Sequence, residues 1–217
     1  MPLLPELEIH LRAIIDAVFP DSLSHGKFHV FRVVTTCKKI AELEQEEGTS
    51  IDMDVLLAAA YLHDLGRLES IQPYSGAMPA PELPHAERSV AFARDILENL
   101  PDYPAEKIEA VERTILAHSF SASEEPATIE AMILSDADKL DAMGAQGIIR
   151  TVAYSVEQHR TLESTLEHFN EKIVKLNGLL WTEPGRKIGG SKQALLEQFT
   201  SELAQDLRDL LESTSSK

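Results

Sequence analysis

AAYLHDLGR, residues 59–67, closes an apolar run that begins with VLLAA at residue 55. Apolar side chains on every face belong to a helix surrounded by protein, so the run predicts a buried helix starting near Ile51. His63 and Asp64 end it. Neighbouring residues on a helix point about 100° apart, so an adjacent His and Asp reach one point only where the backbone relaxes at a helix end. Gly66 is placed to cap that end. A His-Asp dipeptide is weak evidence alone. Its weight depends on what the flanking helices send toward it.

Those helices each carry an ionisable or polar residue on an apolar stripe. His118 follows Ile108, Val111 and Ile115 at spacings of three and four. Asp136 follows Ile129, Met132 and Ile133, with Leu140 one turn on. His85, Ser89, Phe92 and Ile96 align, and His29 flanks a stripe that includes Val33. Residues so spaced share a helix face. An unpartnered buried charge is costly, and a single inward histidine is ordinarily a hydrogen-bonded core residue. Several helices each sending a His or Asp inward point instead to one shared cation. Imidazole and carboxylate without thiolate suit Mn, Fe, Ni, Co, Zn or Mg. One ion per chain is favoured, with two allowed.

Helical periodicity extends outward from there, and no strand alternation persists, so the chain is read as all-α. Leu7, Leu11, Ile14, Ile15 and Val18 form one stripe, ended by Pro20. A helix spans about Lys27 to Glu46, with Gly48 closing it. Further helices are predicted near 85–99, 104–119, 128–142, 145–158 and 161–180. TEPGRKIGGS, residues 182–191, reads as a break before a last helix carrying Leu195, Leu196, Phe199, Leu203, Leu207 and Leu210. The apolar face of that helix suits packing or homodimerisation equally. Residues 67–84 contain four prolines and Gly76, and form a candidate lid. The expected organisation is a single domain over residues 1–217, with a core from about 20 to 160 and a helical extension from about 161 to 213.

Composition narrows the function classes. The 217 residues carry 20 Lys plus Arg against 36 Asp plus Glu, a formal net charge of −16. That argues against coating nucleic acid polymers or anionic membranes, while a local site can still take a small anion. Cys37 is the one cysteine, which excludes an intramolecular disulfide and a thiolate cluster. It lies in a core stripe and is not read as a nucleophile. There is no transmembrane-length apolar run, and Glu6 and Glu8 interrupt the N-terminal one, so a cytoplasmic protein is expected. No GxGxxG or Walker loop occurs. GAQGI is read as close helix packing.

HVFRV (residues 29–33), AAYLHDLGR (59–67) and ILSDADKLDAMGAQGI (133–148) resemble the HD superfamily of metal-dependent phosphohydrolases. PHAERS (84–89), ILAHSF (115–120) and TEPGRKI (182–188) resemble its small bacterial and archaeal hydrolases in particular. The resemblance covers nearly the whole chain. It implies a compact multi-helix bundle with C-terminal helices packed on it. It makes His29, His63, Asp64 and Asp136 the metal ligands. His85 and His118 fall where two-metal members place extra histidines, and where single-metal members bind water or phosphate. Relatives often carry an Asp just before the first ligand His. Here the stretch is HGKFH, with His25 as a partial substitute or simply an exposed residue.

The resemblance also implies metal-activated water attacking a phosphoryl group of a small phosphorylated substrate, most readily a nucleotide. Triphosphate cleavage to monophosphate and pyrophosphate is among the known outcomes. Asp64 is the candidate to orient or deprotonate the water. His85 and His118 are candidates to donate to a phosphate oxygen or the leaving group, or to support the ligands. Arg32, Arg67 and Lys139 are the candidate phosphate-binding cations, with Asp138 and Asp141 expected to hold Lys139 by ion pairing. Lys175, Arg186 and Lys192 form a candidate second basic rim. The competing readings are a di-iron oxygenase using the same six residues, and a non-catalytic nucleotide-sensing module.

Overall fold

A computed structural model describes residues 4–24, 26–68, 71–100, 103–119 and 125–215. His25 lies outside them. Among the described residues there are nine α-helices, two short 3-10 segments and no strand. None of these helices is long and apolar enough to cross a membrane. By their internal contacts the residues form two compact units, 1–22 with 26–138, and 23–25 with 139–217. The division falls at 138/139.

The first unit contains α1 (Leu4–Val18), α2 (Lys27–Glu46), α3 (Met53–Leu62), α4 (His85–Glu98), α5 (Ala105–His118) and most of α6 (Ile129–Asp141). α3 is the central helix. Val55 through Leu62 are all buried, and α3 packs against α1, α2, α4 and α5. An all-round apolar helix has no face to give to water, and this packing leaves it none. Its start is fixed by polar groups. The Asp52 carboxylate accepts from the Asp54 and Val55 amides at 3.1 and 3.2 Å. Lys107 of α5 bridges Asp52 and Asp54 at 2.8 Å each, and Glu130 of α6 accepts from the Asp52 amide at 2.8 Å. α4 and α5 are joined by Arg94 and Glu112, at 2.6 and 2.7 Å.

α2 has the bounds read from the sequence. Gly48, at φ +93°, donates to the Gln45 carbonyl, and Thr49 donates to Glu44. That pairing satisfies the last carbonyls of the helix, and it needs the left-handed backbone that glycine adopts freely. Cys37 is fully buried in α2. Burial raises its thiol pKa, and the negative charges of Asp138 and Asp136 raise it further. A thiol held protonated and shielded does not react. Ellman's reagent will therefore find no thiol in the native protein and one per chain after denaturation. Native-state labelling would disprove the burial.

From Leu68 to Pro84 the described residues form no helix, as the prolines predict. The middle of the segment is pinned to α4. Asp95 of α4 accepts from the Tyr74 amide at 2.5 Å and the Ser75 amide at 2.9 Å. Tyr74 itself is 67% exposed. Asp95→Ala removes both tethers, and chymotryptic cleavage after Tyr74 should accelerate about tenfold while the helical circular dichroism stays unchanged. Equal cleavage rates in both proteins would show that the tether does not hold the loop.

The second unit holds α7 (Gly144–Glu157), α8 (Leu162–Glu171) and α9 (Glu183–Ser215), with a 3-10 segment over Ile173–Leu179. Arg150 is its polar anchor, donating to Asp141 at 2.7 Å and to the Ser24 carbonyl at 2.8 Å. Two expectations fail here. The helix predicted over 161–180 stops at Glu171 and tightens into the 3-10 segment, where β-branched Ile173 and Val174 precede Asn177 and Gly178, all weak helix formers. The break predicted at 182–191 is instead the start of α9. Thr182 caps it, its hydroxyl accepting from the Gly185 amide at 3.0 Å, and Pro184 sits in the first turn, where a missing N–H costs nothing.

Candidate metal centre

Four helix ends and one helix face of the first unit converge. α3 ends at Leu62, and His63 still has helical dihedrals. Asp64 leaves them, at φ −110° and ψ 10°, and a 3-10 turn follows over Leu65–Arg67. This is the relaxation that adjacent ligands require. Gly66 is not the expected left-handed cap, since its φ is not positive. Its role is close approach: a Cβ there would collide with the His85 carbonyl oxygen and lie 2.7 Å from the Ser89 amide. The Gly66 amide donates to Ser89 Oγ at 2.9 Å. The turn after the His-Asp pair thus seats directly on the first turn of α4, and this positions His85.

His29 enters from the first turn of α2, His63 from the end of α3, and His118 from the last residue of α5. All three are buried, with His85 half-buried beside them. The imidazoles meet edge to face, with centroids 5.3 Å apart for His29 and His63, 5.0 Å for His63 and His118, and 5.6 Å for His85 and His118. Asp64 lies among them and divides its oxygens. Oδ2 is 3.4 Å from His29 Nε2 and 3.8 Å from His63 Nε2. Oδ1 is 3.8 Å from His85 Nε2 and 3.9 Å from His118 Nε2. Two donor trios result, His29–His63–Asp64 and Asp64–His85–His118, each with its ligand atoms within 4.8 Å of one another.

Backbone carbonyls set two of the tautomers. His63 Nδ1 donates to the Ala60 carbonyl at 2.8 Å, and His118 Nδ1 donates to the Ile115 carbonyl. Each neutral ring then presents a lone pair from Nε2, the form a metal ligand takes. His118 Nε2 is buried with no hydrogen-bond partner. His63 Nε2 stands 3.3 Å from His29 Nε2. A buried orphan nitrogen and converging lone pairs beside carboxylates fit a divalent cation by donor chemistry.

A second carboxylate faces the cluster from α6: Asp138, its Oδ1 3.4 Å from His29 Nε2 with the side chain 28% exposed. Asp136 is fully buried on the same helix. Residues two apart on a helix point about 200° apart. Asp138 faces His29, and Asp141 pairs with Arg150.

The charge states follow from this packing. Burial and the Arg67 cation push His85 down to about 4, and burial with His63 nearby pushes His118 down to about 4. Burial also lowers His63. Burial alone would raise Asp64, but Arg67, His63 and His29 outweigh it and hold the carboxyl well below its usual range. Asp138 is likewise lowered against its burial by His29, His63 and His118. His63, His85 and His118 are therefore neutral near pH 7 and the two aspartates ionised. His85 and His118 were candidate proton donors. Here both offer Nε2 as an acceptor, since His85 Nε2 receives a hydrogen bond from Arg67 Nη2 at 3.1 Å.

Of the expected phosphate-binding cations, Arg67 lies in the centre, with Nε 2.7 Å from Asp64 Oδ1. Arg32 is half-buried on α2. Lys139 and Arg186 belong to the second unit. Arg186 is engaged there by the Leu180 and Trp181 carbonyls, at 3.1 and 2.7 Å, and by Glu183 at 3.2 Å.

Residues 28–143, more than half of the chain, match the HD domain family. YpgQ of Bacillus subtilis, an uncharacterised protein, is 24% identical over 211 residues, covering 94% of this chain and 96% of YpgQ. The crystal structure of YpgQ in complex with ADP matches with a TM-score of 0.69 over 92% of this chain and 97% of that one. A Listeria innocua crystal structure matches at 27% identity and a TM-score of 0.70, covering 94% of this chain and 96% of that one. An HD-superfamily hydrolase from Bacillus thuringiensis matches at 24% identity and a TM-score of 0.68, covering 94% and 97%. The matched segment carries every histidine and aspartate of the cluster, and the chain belongs to the HD domain family.

Proposed function

We propose that this protein is a metal-dependent phosphohydrolase acting on a small phosphorylated compound, with a nucleotide as the first choice. The observation that carries the reading is the convergence of His29, His63 and His118 Nε2 on the two oxygens of Asp64, with one ring atom buried and unpartnered. His29, His63, Asp64 and Asp138 would hold the metal. A bound divalent ion supplies Lewis acidity toward a phosphoryl oxygen and makes water a competent nucleophile near neutral pH. The ADP seen in YpgQ supports a nucleotide, and triphosphate cleavage to monophosphate and pyrophosphate is one form the reaction can take.

The residues divide the work. Asp64, held ionised by Arg67, is a weak base, so it accepts a hydrogen bond and orients the attacking water without taking its proton. His118, neutral with its Nε2 lone pair open, is the proton acceptor or an added ligand. Arg67 and Arg32 offer positive charge to phosphate oxygens, which the −16 net charge of the chain does not provide. The test is a panel of nucleoside mono-, di- and triphosphates with Mn, Co, Ni or Mg, assayed for phosphate and pyrophosphate, with metal content measured on the same sample. Release from at least one member is expected. Tight nucleotide binding without turnover at any metal would leave a sensing module instead. The second donor trio gives the di-iron oxygenase reading its one foothold, and substrate-dependent oxygen uptake by iron-loaded protein is its signature.

A further inference from the structure

Asp64 faces two ways, and a fixed cation, Arg67, stands against its Oδ1. Toward Oδ2 stand His29, His63 and, through His29, Asp138. Toward Oδ1 stand His85 and His118, which with Asp64 form a trio as compact as the first. Geometry alone would admit an ion to either. Arg67 breaks the tie. Its Nε is 2.7 Å from Asp64 Oδ1 and its Nη2 is 3.1 Å from His85 Nε2. A single planar guanidinium therefore donates to two of the three atoms that a second ion would need.

We propose that Arg67 is a built-in cation that takes the place of a second metal ion in the Asp64–His85–His118 trio and so keeps the centre at one metal per chain. It rests on the metal-centre assignment to His29, His63, Asp64 and Asp138. The second trio has one carboxylate, already shared with the first. An Arg is always charged and its fork fits a carboxylate oxygen and an adjacent acceptor, so it competes there on both charge and shape. A dication entering beside it meets a like charge within a few ångströms in a buried setting, where screening is weak. Arg67 follows the His-Asp pair on a short 3-10 turn whose geometry is fixed by its own hydrogen bonds, the Arg67 amide donating to the Asp64 carbonyl at 3.0 Å. Its side chain is 36% exposed, so replacing it leaves the core intact.

The test is metal stoichiometry. Full-length protein stripped with EDTA, loaded with excess Mn(II) and desalted should hold about one ion per chain. Arg67→Gln should hold about two, with a Mn(II) paramagnetic resonance spectrum broadened by coupling between neighbouring ions. Arg67→Met, a second neutral variant, should match it. Arg67→Lys keeps the charge and should stay at about one. Adding His118→Ala to Arg67→Gln should return the count to about one, which separates the trio from ions bound elsewhere. Circular dichroism confirms that each variant is folded. A count of one in both neutral variants, or of two in wild type or Arg67→Lys, overturns the proposal while leaving the metal centre standing. No bound metal in wild type and variants alike overturns the centre itself, and this proposal with it.

Discussion

On the proposed ligand set, Asp138→Asn is expected to abolish metal binding and Asp136→Asn to leave it near wild type. Both substitutions keep size and remove one negative charge, so they separate the two aspartates without opening a cavity. Asp138 Oδ1 faces His29 Nε2 at 3.4 Å and supplies the second carboxylate of the proposed ligand set. Without it a dication is held by three imidazole or carboxylate donors and one charge. Metal content after desalting should fall at least tenfold, and hydrolysis, on any substrate found active, at least a hundredfold. Asp136, fully buried, should affect thermal stability with metal content near wild type. The reverse result, metal lost with Asp136→Asn and kept with Asp138→Asn, would return the ligand role to Asp136.

Gly66→Ala has the second large effect. A methyl group there has no room, because it meets the carbonyl of His85 and the amide of Ser89, both main-chain atoms of α4. Main-chain atoms cannot rotate away, so the 3-10 turn or the start of α4 has to move. Overpacking of this kind costs about 3 kcal/mol, and for a chain of this size that lowers the melting temperature by roughly 6–12 °C. The displacement acts directly on Asp64 and His85, so metal affinity should fall alongside stability. A variant with unchanged melting temperature and metal content would show that the turn is looser than its packing indicates.

Much of this arrangement is legible before any coordinates. The apolar run ahead of His63 cannot be a surface helix, and α3 is indeed the helix the others surround. Spacing puts His63, His85 and His118 on inward faces and His29 beside one, the helix end puts Asp64 next to His63, and all five meet. Asp138 was missed for a physical reason. A stripe identifies a face only when the opposite face is polar, and α6 is buried nearly all round from Ala131 to Asp141. Asp136 and Asp138 both sit among apolar neighbours there. The signal that separates them is accessibility, because a residue at a site open to solvent keeps part of its surface exposed, and sequence carries that poorly. The start of α9 was misread because Thr182, Pro184 and Gly185 are loop residues by composition and a capped first turn by position.

The hydrogen bonds from His63 and His118 to Ala60 and Ile115 have a consequence for the apo protein. The last carbonyls of any helix lack a partner in their own helix. Here each imidazole reaches back one turn to satisfy such a carbonyl while aiming its other nitrogen inward. A cation held at His63 Nε2 would make its Nδ1–H a stronger donor, so binding would tighten the end of α3. On the proposed ligand set, ligation and termination of α3 would be one thermodynamic unit, and without the ion α3 would fray at the place from which the cluster is built.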